Sequence, residues 1–201
     1  MKKQPTKRNS DKLDLKGISI HNTAVPFVLR QGRNGCSKLR GHHDSHYKLN
    51  DSGIKLGGIA YHYYIDITGA VFEGRELSYI GGTYTKYDPK GLITVVLEGA
   101  FSESTYKKKQ YTANEPTVPQ ISTLKELLVL LSAKYGIDPM SEQVGKGIHG
   151  HDEFPTIGSS ALSNRKKVMT SCPGINLSKR LLELRQSTRY GLARQRLDST
   201  L

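Results

Sequence analysis

The sequence predicts one α/β domain, built around a central mixed β-sheet flanked by helices. Three observations predict it: strand-like and helical segments interleave along the chain, no internal repeat is visible, and 201 residues suits one domain of about 100–200 residues. We expect the domain to span residues 15–190. A disordered basic tail at residues 1–14 is expected before it and a C-terminal tail at residues 191–201 after it.

The first predicted strand lies within residues 16–24. Ile18 and Ile20 alternate there with Ser19 and His21, and successive side chains of a strand point to opposite faces. His21 should therefore lie on the face opposite to the two isoleucines, close to the end of the strand.

Three later segments also have the composition of strands. Residues 57–76 predict a hairpin with its turn near Thr68-Gly69, and residues 92–101 are apolar on both faces, as in a central buried strand. Residues 145–151 predict a short strand that enters a loop. A basic loop is expected at residues 107–109.

The clearest helix is predicted from near Pro116 to about Tyr135, with Gly136 just after its end. Its apolar residues recur at helical spacing: Ile121, Leu124, Leu127, Leu128 and Leu131. A final helix is predicted at roughly residues 176–190. Residues 31–57 are polar and rich in glycine, so we expect a loop there with at most one helical turn.

The charge of the chain is strongly positive. Thirty Lys and Arg face 18 Asp and Glu, which gives +12 and favours polyanions as partners. Solubility and basic tails are the alternative explanation. A basic nucleic-acid-binding protein is the less favoured alternative function. Nucleic acid is not expected as a partner, because no nucleic-acid motif is present and the aromatic residues are not interleaved with the basic runs.

Two features of the sequence bear on localisation. The basic N-terminus lacks the apolar stretch of a secretory leader, and no run approaches the roughly 18 apolar residues of a membrane span. Cys36 and Cys172 are too few for a disulfide framework. We expect a chain synthesised in the cytoplasm without an ordinary leader.

Histidine and cysteine side chains make zinc the metal to consider. The candidate ligands at predicted strand ends and loops are His21, His149, His151 and Cys172. Their spacing alone does not select a site. A second metal site at His42, His43 and His46 is an alternative, although a solvated polar loop is favoured there.

Four segments, in order, resemble the zinc-dependent N-acetylmuramoyl-L-alanine amidases, a family that includes phage endolysins and animal peptidoglycan recognition proteins. They are ISIHNTA (18–24), IAYHYYIDITGAVFEGR (59–75), ITVVLEGAF (93–101) and IHGHDEF…TSCPG (148–174). The resemblance covers about residues 17–185. It implies the fold of that family and peptidoglycan as the substrate.

The resemblance also implies a set of site residues. The three metal ligands of the family fall on His21, His151 and Cys172, which would hold one zinc ion per chain. A catalytic tyrosine falls on Tyr61, and a second assisting residue falls on Thr170. His149 remains the rival of His151 as a ligand. Because the thiol of Cys172 must lose its proton to bind metal, binding should weaken at acidic pH.

The chain departs from the family pattern at three places. One of them follows the second histidine, where the family often has Arg-Asp and this chain has Asp152-Glu153. Some members carry a glutamate general base on the central strand, where this chain has Val96. The nearby Glu98 is interpreted as structural. The segment between His151 and Cys172 is longer than in many short members and could form part of a substrate groove. Arg75 could contact substrate, or it could make a structural ion pair.

The expected activity is hydrolysis of the bond between N-acetylmuramic acid and L-alanine, by a monomer that reaches the wall after release or delivery. The main alternative is a non-catalytic peptidoglycan-binding protein. Binding-only members of the family commonly lack the thiolate ligand, so Cys172 favours catalysis. The basic C-terminal segment could bind anionic wall polymer or a membrane surface through Lys179, Arg180, Arg185, Arg189, Arg194 and Arg196.

Overall fold

The computed structural model describes residues 13–30, 32, 35–47, 57–82, 91–106, 109–154 and 171–199. Its strands are β1 (Gly17–Asn22), β2 (Tyr63–Ile65), β3 (Val71–Glu73), β4 (Leu92–Leu97), β5 (Ser104–Tyr106), β6 (Lys109–Tyr111) and β7 (Gly147–Gly150). Its α-helices are α1 (Gly35–Tyr47), α2 (Val118–Tyr135), α3 (Ile175–Ser178) and α4 (Leu181–Asp198).

Five strands form one sheet in the order β3-β2-β4-β1-β7. β1 lies parallel to both β4 and β7, β2 is parallel to β4, and β3 is antiparallel to β2. This mixed sheet with helices around it confirms the predicted α/β architecture. β5 and β6 form a separate antiparallel hairpin. Lys109 belongs to β6, so the prediction of a loop at residues 107–109 is wrong for Lys109.

One face of the sheet carries the hydrophobic core, where α2 and α4 cover it. The isoleucines of β1 and the alternating apolar residues of β4 point there and are fully buried: Ile18, Ile20, Ile93, Val95 and Leu97. The apolar stripes of the two helices complete this core. Because β1 alternates, Ser19 and His21 point to the opposite face, as the sequence predicts.

The helix α2 confirms the prediction for residues near Pro116 to Tyr135. Thr117 caps its first turn: the Thr117 hydroxyl accepts from the Gln120 N–H, and the Gln120 side chain accepts from the Thr117 N–H, a reciprocal capping box. Gly136 ends the helix with φ at +65°, a left-handed conformation that glycine adopts without strain.

The expectation of a loop with at most one helical turn at residues 31–57 is wrong over Gly35–Tyr47, where α1 forms. This helix covers part of the polar face of the sheet. The side chains that it buries are Lys38 and His42, so its contact stripe is polar. The hydrophobic periodicity that identifies helices from sequence is therefore missing from α1.

The C-terminal region also differs from the prediction of one helix at 176–190. A short α3 is followed by α4, which continues to Asp198, well into the predicted tail. The last two turns are exposed, so no core contact signals them in the sequence. The domain limits of 15 and 190 stay predictions, and residues 1–12 lie outside the described part. None of the described helices is both long and apolar enough to span a membrane.

The hairpin predicted at residues 57–76 is confirmed, with shorter strands than the sequence suggests. The Asp66 carboxylate organises its turn by accepting from the backbone N–H groups of Thr68 and Ala70 and from the Thr68 hydroxyl. Residues 59–62 come before β2 but remain attached to the sheet, since the His62 N–H donates to the Thr94 carbonyl of β4. Tyr61 therefore lies just before β2.

Candidate metal centre

Three side chains meet on the polar face of the sheet, at the carboxyl ends of β1 and β7. His21 is the fifth residue of β1, His151 follows β7 directly, and Cys172 lies in the turn before α3. Because β1 and β7 are parallel neighbours, their ends bring the two histidines to one edge. One potential ligand atom from each of the three residues lies within 4.8 Å of the other two.

The imidazole of His21 is held at both ring nitrogens. Its Nδ1 lies 3.6 Å from the Cys172 Sγ, and its Nε2 lies 3.0 Å from the Ser19 Oγ. The ring centroid is 4.5 Å from that of His151. The contact with Ser19 fixes the ring so that Nδ1 faces the cysteine and the second histidine.

Burial keeps both groups uncharged. The pKa of His21 is lowered well below its usual value by burial, and further by the neighbouring His151 and His62. Burial raises the pKa of the Cys172 thiol to about 12, despite the opposing hydrogen bond that Sγ accepts from the Asn22 N–H. The centre therefore holds a neutral imidazole and a protonated thiol at neutral pH, and a cation is what would make the thiolate favourable.

The donor set fits zinc. Two nitrogens and one sulfur are the ligands that zinc prefers, and a catalytic site keeps three of them and one open position. A sulfur at about 2.3 Å and a nitrogen at about 2.0 Å from a tetrahedral zinc lie roughly 3.5 Å apart. The observed 3.6 Å between His21 Nδ1 and Cys172 Sγ agrees with that separation.

The rival ligand His149 faces elsewhere. Its Nε2 lies 2.6 Å from the Lys146 carbonyl oxygen and its Nδ1 is 3.5 Å from Glu153 Oε2. Burial alone would raise the pKa of Glu153, but hydrogen bonds from His149, Arg185 and the Gly150 N–H lower it to about 2. His149 thus belongs to a polar network that fixes the segment carrying His151.

Tyr61 stands beside the three-residue group. Its ring centroid is 5.3 Å from that of His21 and 5.5 Å from that of His46, and the side chain is partly exposed. It forms one wall of the candidate centre and remains open to solvent. Thr170, the other candidate catalytic residue, lies outside the described residues, as do residues 155–170 of the predicted insertion.

The strand position that bears a glutamate in some relatives is occupied by a fully buried valine. Val96 lies opposite His21 in the register of β1 and β4. The Glu98 carboxylate lies 2.9 Å from the Lys38 ammonium, which agrees with its structural interpretation. The Arg75 guanidinium is held by the backbone around it. It donates to the carbonyls of Ile59, Ile80 and Gly58.

The histidines of α1 do not form a second metal group among the described residues. His42 packs on the Tyr64 ring at 5.8 Å, and His46 Nδ1 accepts from the Ala60 N–H at 3.1 Å. These two side chains anchor α1 and support the loop that carries Tyr61.

Two supporting residues were not anticipated as part of the site. Ser19 could have been found, because strand alternation puts it on the same face as His21 and two residues away. His46 could not, because only the unpredicted helix α1 brings it to Tyr61. In the sequence, Ser19 could be recognised as a supporting residue because it is polar, lies in an otherwise apolar strand and is close to a candidate ligand.

A family model described as N-acetylmuramoyl-L-alanine amidase matches residues 11–175. The chain belongs to this amidase family. The match includes β1, the hairpin, β4, α2, β7 and Cys172, so it contains all three residues of the candidate centre. Among curated proteins, no sequence matches the chain significantly.

Solved structures of amidase-family proteins share the fold. Drosophila PGRP-LB has a TM-score of 0.57 at 21% identity, covering 89% of this chain and 86% of that chain. The Ph2119 endolysin from the Thermus scotoductus MAT2119 bacteriophage has a TM-score of 0.56 at 18% identity, covering 92% and 91%. The amidase LysC from Clostridium intestinale URNW has a TM-score of 0.50 at 19% identity, covering 87% of each chain. The family and the fold together assign the chain to proteins that cleave or bind peptidoglycan.

Proposed function

We propose that this chain is a zinc-dependent N-acetylmuramoyl-L-alanine amidase, which cleaves the amide bond between muramic acid and the stem peptide of peptidoglycan. The observation that carries the proposal is the group of His21, His151 and Cys172, whose ligand atoms lie within 4.8 Å of one another. The family match to residues 11–175 supports the bond that is cut.

These three residues would hold one zinc ion. When bound, zinc supplies a Lewis acid that polarises a carbonyl and lowers the pKa of water. The Ser19 hydroxyl would accept a hydrogen bond from the Nε2–H of His21 and so keep Nδ1 available as the ligand atom. Hydrogen bonds to the second nitrogen of a ligand histidine commonly have this effect at metal sites. Asn22 would stabilise the Cys172 thiolate through its backbone N–H, which lies 3.4 Å from Sγ.

The reaction is hydrolysis. Water adds to the lactyl carbonyl carbon, the bond from this carbon to the L-alanine nitrogen breaks, and the nitrogen leaves with a proton. Tyr61, whose ring centroid lies 5.3 Å from that of His21, would donate a hydrogen bond from its hydroxyl to the oxygen of the scissile carbonyl. Removal of one donor of this kind typically costs about 3 kcal/mol in the barrier. Thr170 keeps the assisting role that the family resemblance implies.

The substrate is inferred from the family and from relatives. The crystal structure of PGRP-LE is a complex with tracheal cytotoxin, described as monomeric diaminopimelic acid-type peptidoglycan. A structure of a Drosophila PGRP-LB mutant is a complex with the same ligand. We propose that this chain acts on the same polymer as a monomer. It would meet the wall after release or delivery from the cell that makes it.

A binding protein without catalysis is the second candidate, because structural neighbours include peptidoglycan recognition proteins. The complete donor set favours the amidase over this candidate. A thiolate at position 172 is needed to hold a catalytic metal, whereas a protein that only binds peptidoglycan has no need of it.

Digestion of purified sacculi tests the proposal. The wild-type chain should release stem peptides with new L-alanine amino termini. Cys172→Ala should abolish their release, and Cys36→Ala, which removes the other, exposed cysteine, should leave it unchanged. Binding to sacculi without new amino termini would support the binding protein instead. Equal activity in the wild type and in Cys172→Ala would overturn the proposed site.

A further inference from the structure

The outer face of α4 exposes a stripe of large apolar side chains. Leu182, Tyr190 and Leu197 are exposed by 57%, 72% and 67%. At about 100° per residue, they fall within an arc of about 80° along the helix. The stripe is about 22 Å long at 1.5 Å per residue. Leu181, Leu184 and Thr188 occupy the inner face and are buried.

Three arginines flank this stripe. By helical angle, Arg189 and Arg196 lie on one side of it and Arg194 lies on the other. None of the three makes an ion pair with any residue that the structure describes, whereas Arg185, at the inner edge of the same helix, pairs with Glu153. The face thus combines exposed apolar groups with positive charges not engaged in described ion pairs, on a chain of net charge +12.

The position of α4 sets the orientation of this face. α4 covers the core face of the sheet together with α2, and the candidate metal centre lies on the other face. A flat surface bound by the outside of α4 would therefore leave the metal centre directed away from it.

We propose that the outer face of α4 binds the surface of an anionic lipid bilayer. Helices with apolar residues on one side and arginines beside them lie in the interface of membranes, where the apolar groups enter and the cations meet the headgroups. A soluble anionic polymer would engage the arginines but would leave the three apolar side chains in water. The bilayer is therefore the partner that uses both features. This inference does not depend on amidase activity.

A tryptophan reporter tests the contact directly, because the chain contains no tryptophan. Tyr190→Trp places one in the stripe, and Tyr47→Trp places a control on α1, at the other face of the sheet. With vesicles of phosphatidylglycerol and phosphatidylcholine, the emission of Tyr190→Trp should shift to the blue and that of Tyr47→Trp should not. Polyglutamate that carries the same total negative charge as the vesicles should shift the emission of neither variant. An unshifted Tyr190→Trp, or equal shifts in both variants, would overturn the proposal.

Vesicle sedimentation separates the contributions of charge and apolar area. Three arginines at an anionic surface together contribute roughly 100-fold in partitioning, so Arg189→Gln/Arg194→Gln/Arg196→Gln should lose about that factor. Lys16→Gln/Arg40→Gln/Lys146→Gln removes the same charge elsewhere and should lose much less. Leu182→Gln/Leu197→Gln should also lose vesicle binding while retaining polyglutamate binding. Vesicle binding that survives this last change would show a charge-only surface and contradict the proposal.

Discussion

At the scale of single residues, Ser19 matters because it decides which nitrogen of His21 is offered to a metal. Its hydroxyl is 3.0 Å from Nε2 and the whole contact is buried. Without it, the imidazole would lose the partner that fixes its orientation and tautomer. Mutation of a residue that hydrogen-bonds to a metal ligand commonly changes metal affinity by about 10–100-fold.

Ser19→Ala should therefore bind zinc about 10-fold more weakly with an unchanged fold, as measured by competition with a chromophoric chelator. Ser45→Ala is the matched control, because the Ser45 hydroxyl bonds only to the Gly41 carbonyl on α1 among the described contacts. Equal zinc affinity in Ser19→Ala and the wild type would show that the ring is held by packing alone.

The thiol of Cys172 gives zinc affinity a definite dependence on pH. Burial raises its pKa to about 12, so the metal-free protein keeps the proton at every pH from about 6 to 9 and must release it on binding. His21 releases none in this range, since its pKa is lowered well below 6.5. Zinc affinity should rise about tenfold per pH unit, in the wild type and in Cys36→Ala alike. An affinity that is flat with pH would contradict a thiolate ligand.

The candidate ligand set could be predicted from the sequence because each residue lies in a short motif of the family and at a predicted strand end or loop. The family motif assigned the second ligand to His151 but left His149 as its rival. Both flank the end of one strand, and only the network of His149 with Lys146 and Glu153 shows which one turns from the centre.

At the scale of elements, α1 is the part that sequence reasoning missed. A helix is recognised by its apolar stripe, but α1 contacts the sheet through Lys38 and His42. An ion pair joins Lys38 of α1 to Glu98, which directly follows β4, and both side chains are almost fully buried. The sequence suggested a structural role for Glu98 but did not indicate its partner.

Glu98→Gln should destabilise the protein by about 3 kcal/mol, because it leaves the Lys38 ammonium buried without its counter-charge. The double variant Lys38→Met/Glu98→Gln should recover part of this loss, as urea denaturation would measure. Asp14→Asn breaks an ion pair of similar length that is exposed and should cost less than about 1 kcal/mol. A Glu98→Gln loss no larger than that of Asp14→Asn would mean that the pair contributes nothing to stability.

At the scale of the whole molecule, the two faces of the sheet have different roles. Its apolar face holds the core under α2 and α4, and its polar face carries the candidate centre at the ends of β1 and β7. The alternation of β1 in the sequence was enough to predict this division. The extent of α4 was not predicted, because its last turns are exposed and have no core-facing periodicity.

The predicted domain limit at residue 190 can be tested by truncation. A chain ending at Tyr190 loses only the part of α4 whose last residues, 193–198, are exposed. It should remain folded, with a stability loss of about 1 kcal/mol from the half-buried Leu192. A chain ending at Arg180 also loses the buried Leu181 and Leu184 and should unfold. Unfolding of the chain that ends at Tyr190 would move the domain limit to the end of α4.

The central claim is that the His21, His151 and Cys172 group works through a metal, and its most direct test is titration of the stripped protein with zinc. Release of L-alanine amino termini from sacculi should rise linearly with added zinc and stop rising at about one equivalent per chain, the capacity of a single three-ligand site. His151→Ala should show no such rise. Full activity in the stripped wild-type protein, or an unchanged titration in His151→Ala, would contradict the account.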